Sequence, residues 1–295
     1  MNKSKLFISV IIPFYNGNRF VMELLNNLSQ VQKNISSKYN VNIEAVMVND
    51  SPEVEIEYSL LTNIDIKVIK NEKNVGIHAS RVNGLRHASG EWIIFLDQDD
   101  FLIPEKYITQ LDNLEDEDVI VGNGYYYTKG NRELIFSNKR SMEYLIREKT
   151  LVGIRNLIPS PGECLIKKSC IPNYWIDNTL IFNGADDWML WLLLFNSKVK
   201  FKVNESVVYI HRSTENGNLS FDLDKMLLSC NEMLRILKKN KAYSTNKCEI
   251  LNRAINFKYL LDVRKITLYD FVRYHDRFIA NIIYKIHLKL YKYAK

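Results

Sequence analysis

Trp92-Ile93-Ile94-Phe95-Leu96-Asp97-Gln98-Asp99-Asp100 runs five apolar residues straight into three carboxylates. A short apolar run bounded by polar residues reads as a strand buried on both faces, as in a parallel sheet covered by helices. Turn chemistry explains a single Asp at such an end. It explains this cluster less well, because three carboxylates crowded against an apolar strand repel unless a cation holds them.

Working towards the N-terminus, strands are predicted at about Ile8 to Ile12, Ile43 to Val48 and Ile66 to Ile69, before the one at Trp92 to Leu96. Phe20, Leu24, Leu25, Leu28 and Val31 are spaced as one face of a helix between the first two, and another helix is predicted from about His78 to His87. Strands alternating with helices predict an α/β fold with a mainly parallel central sheet. In open sheets of this kind ligands bind beyond the carboxyl ends of the strands. Tyr15-Asn16, Asn49-Asp50-Ser51-Pro52, Asn71 to Gly76 and Asp97 to Asp100 all fall at such ends, so they are expected to share one rim.

Composition sets outer bounds. With 295 residues, 46% hydrophobic and 25% charged, the chain has the balance of a folded protein with a sizeable core. A net charge of +6 is mild for this length and does not point to nucleic acid. Cys164, Cys170, Cys230 and Cys248 form no C-x-x-C pair and read as free thiols. Lys3 and Lys5 before the apolar run Leu6 to Phe14 superficially resemble a signal peptide, but Pro13 and Asn16-Gly17 end the run and favour a first buried strand. No stretch reaches the roughly 20 apolar residues of a membrane span.

Towards the C-terminus the pattern loosens. Val119 to Val208 reads as an added sheet plus loops, with strands at Val119 to Val121, Tyr125 to Thr128 and Leu134 to Phe136 and a hairpin turn at Lys129-Gly130-Asn131. Tyr125, Tyr126 and Tyr127 could stack on sugar, although alternating burial accounts for at least one of them. Past Ser220 long helices rich in Leu, Ile, Lys and Arg run to the end without Gly or Pro. A boundary near Phe221 therefore separates residues 1–221 from a helical extension, 222–295. In its tail Phe271, Phe278, Ile279, Ile282, Ile283 and Ile286 mix with Arg273, Arg277, Lys285, Lys289, Lys292 and Lys295. Such a basic amphipathic helix either lies in an anionic membrane surface or packs on protein.

The carboxylates suggest the chemistry. If the backbone stays extended beyond its strand, Asp97 and Asp99 point to the same side and offer two hard oxygen ligands to Mg2+ or Mn2+. Such an ion neutralises charge on a diphosphate leaving group, and Arg81 either assists it or sits on a solvated helix face. Gly184-Ala185-Asp186-Asp187-Trp188 opens an apolar helical run. One of the two aspartates is expected as the N-cap, and the other is a candidate base for an acceptor hydroxyl. His211, at the end of Val207 to Ile210, is more often a structural residue than a ligand when taken alone.

Together, Ile8 to Asn16, Val48-Asn49-Asp50-Ser51, Asn74-Val75-Gly76 with Arg81, Asn83 and Gly84, Gly90-Glu91-Trp92 leading to Asp97-Gln98-Asp99-Asp100, and Asp186-Asp187-Trp188 resemble family 2 inverting glycosyltransferases. The resemblance covers roughly residues 8 to 213 and rests on the order and spacing of the pieces. It implies a GT-A, Rossmann-like nucleotide-diphospho-sugar transferase fold, here with a helical C-terminal extension. It further implies that Pro13, Tyr15, Asp50, Arg81 and Asp97 bind the nucleotide-sugar donor, with UDP the expected nucleotide. Asp97, Asp99 and His211 would lie at a divalent metal, Asp187 would be the catalytic base with Asp186 beside it, and Gly162 would belong to the acceptor-side loop. Asn49 stands where the family often has Asp, and Ser80-Arg81-Val82 replaces Ala-Arg-Asn.

The implied partners are a nucleotide diphosphate-sugar and a glycan or glycolipid acceptor, in bacterial cell-surface polysaccharide or lipopolysaccharide synthesis. The implied location is the cytoplasm, with peripheral membrane association through the C-terminal helix as an option. A sugar-phosphate nucleotidyltransferase would need a Gly-rich basic loop after the first strand, where Pro13-Phe14-Tyr15-Asn16-Gly17 stands. A nicotinamide oxidoreductase would need G-x-G-x-x-G there. A catalytically inactive relative of the same fold is the remaining alternative.

Overall fold

The computed structural model describes residues 6–59, 63–213 and 222–293, with side chains through Tyr291. Lys3, Lys5, Phe221 and Lys295, and the side chain of Lys292, lie outside the described residues. The chain forms two compact units, one of residues 1–135, 160–171 and 199–216, the other of 136–159, 172–198 and 217–295.

In the first unit β1 (Leu6–Phe14), α1 (Asn18–Ser36), β2 (Val41–Asn49), β3 (Asp65–Lys70), α2 (Ile77–His87) and β4 (Trp92–Phe95) follow in order. After them come β5 (Phe101–Leu102), α3 (Pro104–Asp112), β6 (Val119–Thr128), β7 (Asn131–Leu134), β8 (Cys164–Lys167) and β9 (Phe201–Arg212). They build one nine-stranded sheet in the order β3-β2-β1-β4-β8-β6-β9-β5, with β7 paired to β6. The pairings β3–β2, β2–β1 and β1–β4 are parallel, as the alternation of strands and helices predicts. Beyond β4 the sheet becomes mixed, since β8 runs antiparallel to both β4 and β6.

The middle of the chain is therefore not an added sheet, because β8, β6 and β9 continue the first one. Val119 to Val121 and Tyr125 to Thr128 form a single strand, and its register against β9 shifts around Gly122, Asn123 and Gly124. Such an irregularity lets one strand bend and continue where a sequence pattern suggests two. Lys129 and Gly130, both at positive φ, make the two-residue turn into β7. Tyr125 and Tyr127 are half-buried and Tyr126 is exposed, which is strand alternation.

The core follows from the apolar runs. Ile8, Val10, Ile12 and Phe14 of β1 are fully buried and pack with Leu24, Leu25, Leu28 and Val31 of α1. Each such side chain contributes about 1.5–3 kcal/mol by leaving water. Phe20, predicted on this face of α1, does not join it: Val21 takes its place, and Phe20 lies half-exposed beneath the guanidinium groups of Arg19 and Arg212, at 4.5 and 5.4 Å. The sheet also holds one buried carboxylate. Glu44 accepts from Ser9 Oγ and the Ser89 N–H, each at 2.5 Å, and pairs with Lys67 at 2.7 Å. Burial would raise its pKa, but Lys67 and the two hydrogen bonds hold it below the usual range. A Cβ at Gly90 would meet the Ser9 nitrogen at 2.5 Å, so only glycine lets the chain enter β4 this close to β1.

The second unit is helical: α4 (Lys139–Leu145), α5 (Glu148–Gly153), α6 (Asn173–Asp177), α7 (Asp186–Asn196), α8 (Leu223–Lys239), α9 (Thr245–Asp262), α10 (Leu268–Arg273) and α11 (His275–Tyr293). Trp175, Trp191 and Phe257 are among its fully buried side chains. No described helix is long and apolar enough to cross a membrane.

Candidate active site

The carboxyl ends of β1, β2, β3 and β4 do share a rim, and hydrogen bonds join their loops. The Asn16 N–H donates to Ser51 Oγ at 3.0 Å. The Gln98 side chain clasps the backbone of Tyr15, accepting from its N–H at 3.0 Å and donating to its carbonyl at 3.2 Å. Asn71 Nδ2 donates to Asp50 at 2.8 Å, and the same carboxylate accepts the N–H groups of Val75 and Gly76 at 2.8 and 2.9 Å. Asp50 thus shapes the entry to α2. Tyr15 is 53% exposed on this rim, and Pro13 is half-buried in β1 beside it.

Asn49 replaces Asp for a visible reason. Its Oδ1 accepts from the Ser51 N–H at 3.0 Å while its Nδ2 donates to the Val54 carbonyl at 2.7 Å, and a carboxylate could not make the second bond.

Beyond β4 the acidic cluster divides its labour. Arg81, buried on α2, donates to Asp97 Oδ1 at 2.6 Å, so it is not on a solvated helix face. Asp100 is buried and points into the fold, where it accepts from the Tyr209 hydroxyl and from the Arg212 N–H at 2.8 Å. His211 belongs to β9 itself and brings Nδ1 within 3.2 Å of the same carboxylate. Tyr126 meets the His211 ring edge-on at a centroid distance of 5.7 Å. Arg212 Nε donates to the Asp99 carbonyl at 2.7 Å.

The electrostatics follow from this crowding. Burial, then the charges of Asp100 and Asp97, push the Asp99 carboxyl up to about 7. Burial also holds Asp97 above its ordinary range, with Arg81 opposing the shift. For His211 burial acts downwards, but the Asp100 hydrogen bond and the charges of Asp100, Asp97 and Asp99 outweigh it and push the imidazole up to about 9.

Such a carboxylate cluster is suited to a divalent cation. Among the described residues no three or more His, Cys, Asp or Glu side chains are arranged as a ready-made metal cage. Magnesium usually keeps several waters and takes one or two carboxylates plus substrate phosphates, and the donor set of Asp97 and Asp99 fits that habit. With Nδ1 turned to Asp100, ligation by His211 would fall to Nε2 and would displace the imidazolium proton.

Asp186 and Asp187 belong to the helical unit. Neither is the N-cap of α7: that residue is Ala185, without a side-chain cap, and both aspartates lie in the first turn. Both are buried. Asp187 Oδ1 accepts the Trp188 N–H at 2.6 Å and Oδ2 accepts from Asn156 Nδ2 at 2.9 Å. The loop before them is held by α8. Ser229 Oγ accepts from the Ala185 N–H at 3.0 Å, and Glu232 accepts the N–H groups of Ile181 and Phe182 at 2.9 and 3.0 Å. Gly184, at φ +130°, makes the bend, a conformation that side-chain-bearing residues rarely adopt.

Gly162 belongs to the sheet unit, where a Cβ would meet the Tyr209 ring at 2.7 Å. Gln98, Asn156, Arg212, Ser229 and Glu232 escape the sequence reading, because nothing in their spacing announces a partner far along the chain.

Comparison with known proteins agrees with this architecture. The family model for glycosyl transferase family 2 matches residues 9–175. The chain belongs to that family and is a glycosyltransferase. It is 27% identical over 220 residues to an uncharacterized glycosyltransferase of Haemophilus influenzae, covering 73% of this chain and 71% of that one. It spans 32% and 46% of the length of two other curated relatives. Among solved structures it is similar to S. aureus TarS residues 1–349 in complex with UDP-GlcNAc, with TM-score 0.64 and 17% identity, covering 92% of this chain and 79% of that one. It is also similar to the mannosyltransferase PcManGT from Pyrobaculum calidifontis in complex with GDP-Man and Mn2+, with TM-score 0.56 and 14% identity, covering 96% and 83%. The fold is GT-A.

Proposed function

We propose that this chain transfers a sugar from a nucleotide diphosphate-sugar, with UDP as the nucleotide, to a hydroxyl of a glycan or glycolipid, inverting the anomeric centre. The reading is carried by the pairing of Arg81 with Asp97 beside an Asp99 held at the end of the same buried strand. A charged cluster of this make suits a diphosphate and its counterion. The donors named with the two similar structures, UDP-GlcNAc and GDP-Man, support the substrate class.

In this reading Pro13, Tyr15 and Asp50 form the nucleotide side, the exposed Tyr15 ring offering a stacking surface. Asp97 and Asp99, with His211, would hold Mn2+ or Mg2+, and the ion would supply charge neutralisation for a diphosphate. Arg81 orients Asp97 and adds a fixed positive charge. Asp187, oriented by Asn156 and the Trp188 N–H, takes the proton from the acceptor hydroxyl, and Asp186 positions that turn. Direct displacement needs only this one base. Catalysis is assigned to residues 1–221, with 222–295 as an appended helical extension. Bacterial surface-polysaccharide synthesis in the cytoplasm is the proposed setting, and the free thiols suit a reducing compartment.

The test is a thermal-shift screen of UDP, GDP and their sugars with and without Mn2+, followed by assay of donor hydrolysis. A ligand that binds only the native state raises the midpoint. A metal-dependent rise with one nucleotide, and release of that nucleotide from its sugar, are expected; no response to any of them removes the reading.

A further inference from the structure

The last two helices carry apolar side chains on the side that the protein leaves uncovered. One face of α11 is firmly docked. Tyr284 is buried, Arg277 donates to the Gly153 carbonyl at 2.9 Å, His287 stacks on Tyr144 at 4.6 Å, and Asn138 donates to the Tyr291 carbonyl at 2.6 Å. Away from that face Ile279, Ile282, Ile286 and Leu290 follow one another three or four residues apart, and all four are exposed. Phe271 of α10 meets Phe278 edge-on at 4.8 Å, joining the two helices. Leu268 and Val272 of α10 nevertheless remain 86% and 74% exposed. From Ile279 to Leu290 the stripe extends about 17 Å along the helix.

Charge identifies what covers it. Residues 264–295 hold eight Lys and Arg against two Asp, an excess equal to the +6 of the whole chain. The remaining residues are therefore balanced, and every surplus positive charge sits in this segment. From Arg277 onwards it contains no carboxylate side chain. Lys285 and Lys289, three residues after Ile282 and Ile286, flank the stripe and are exposed. A second copy of the chain would set this excess against itself. An anionic bilayer surface takes up an apolar stripe without needing a matching groove, and places phosphates at the level of flanking lysines.

We propose that α10 and α11 bind the surface of an anionic lipid bilayer, with Leu268, Val272 and the isoleucine stripe of α11 in the headgroup–acyl boundary and Lys285 and Lys289 at the phosphates. Arg277, basic in the sequence pattern, is excluded from that face because it bonds inward to Gly153 and Asp276. The proposal is independent of the roles given to Asp99 and Asp187, since vesicle binding requires no turnover.

The experiment is co-sedimentation of the full chain with phosphatidylcholine vesicles containing about a third phosphatidylglycerol, and with phosphatidylcholine alone. Binding to the anionic vesicles only is expected. Both Ile282→Glu/Ile286→Glu and Lys285→Glu/Lys289→Glu should weaken it about tenfold or more, with circular dichroism unchanged because these side chains are exposed. Raising the salt to about 1 M should weaken binding further in the wild type than in the lysine variant. Equal binding to both vesicle types, or binding indifferent to both variants, overturns the proposal. So does a wild type that stays in the supernatant; a dimer that the isoleucine variant dissociates would then assign the face to a second copy.

Discussion

The Arg212 guanidinium donates to the Asp99 carbonyl while its own backbone N–H donates to the Asp100 carboxylate. One residue of β9 thereby fixes both halves of the acidic loop. Its side chain lies over the Phe101 ring at 4.1 Å and the Phe20 ring at 5.4 Å, and reaches Glu23 of α1 at 3.3 Å. In the proposed reading Arg212 is a positioning residue, acting on the proposed metal-binding loop through the Asp99 backbone.

Arg212→Ala should therefore loosen that loop without removing any proposed ligand. A hydrogen bond from a charged group contributes about 1.5–3 kcal/mol, so Mn2+-dependent nucleotide affinity is expected to fall roughly tenfold or more. Arg212→Lys cannot reproduce the planar fork over Phe101 and should restore little. Titration of the nucleotide at several Mn2+ concentrations checks this; a lowered melting temperature with unchanged metal dependence would mean that Arg212 serves stability alone.

The response to metal should depend on pH. With its folded pKa pushed up to about 7, Asp99 carries a proton below that pH, and a cation must displace it. The Mn2+-induced rise in melting temperature should be full above about pH 8 and fade as pH falls through 7. Without metal the sign reverses. A carboxyl whose pKa is higher folded than unfolded favours the native state when protonated, so this group's contribution to stability is lost as pH rises from about 4 through 7. Asp99→Asn should flatten both trends, and an unchanged metal response in that variant removes Asp99 from the site.

Asp187→Asn keeps the size and the Trp188 hydrogen bond but cannot accept a proton at neutral pH. General-base catalysis is commonly worth about 10²–10⁴-fold, so kcat should drop at least a hundredfold while donor and metal binding stay near wild type. Asp186→Asn should do less. Assay of the two variants side by side orders them; the reverse order would move the base by one residue.

Glu232 lies on α8 but holds the loop that leads into α7. Glu232→Ala strips the acceptor from the N–H groups of Ile181 and Phe182; both residues are exposed, so water can take up these donors and the cost is that of two charge-assisted hydrogen bonds rather than of buried unsatisfied groups. The expected result is a lower melting temperature and a reduced kcat with nucleotide affinity intact, and Glu232→Gln should recover part of both. If kcat were unmoved, the loop would tolerate displacement and Asp187 would not depend on it.

Short-range order was legible in the chain before any coordinates. The apolar runs at Ile8 and Trp92 mark β1 and β4, because strands covered on both faces are largely apolar, whereas β3, at the sheet edge, shows only Ile66, Val68 and Ile69 among polar residues. The shared rim follows from the rule that parallel strands end together, whereas the sequence leaves Arg81 open between the site and a solvated helix face, and only the structure pairs it with Asp97. Spacing already offers Asp97 and Asp99 as cation ligands and one of Asp186 and Asp187 as a candidate base; the family resemblance adds the expected donor-side roles of Pro13, Tyr15 and Asp50 and the choice of Asp187 over Asp186.

Tertiary structure decided what depends on partners far apart in sequence. Arg212 meets Asp99 across 113 positions and Glu232 meets Ile181 across 51, and a one-dimensional pattern carries no trace of such pairs. The mixed half of the sheet escaped for a similar reason, since β6 pairs with β8 and β9 through long connections and a register shift. Phe20 and Val21 are adjacent apolar residues that helical periodicity barely distinguishes, and packing chose between them. In α11 the sequence supplied apolar and basic residues almost all round, and only docking of the Tyr284 side determined which of them face the solvent.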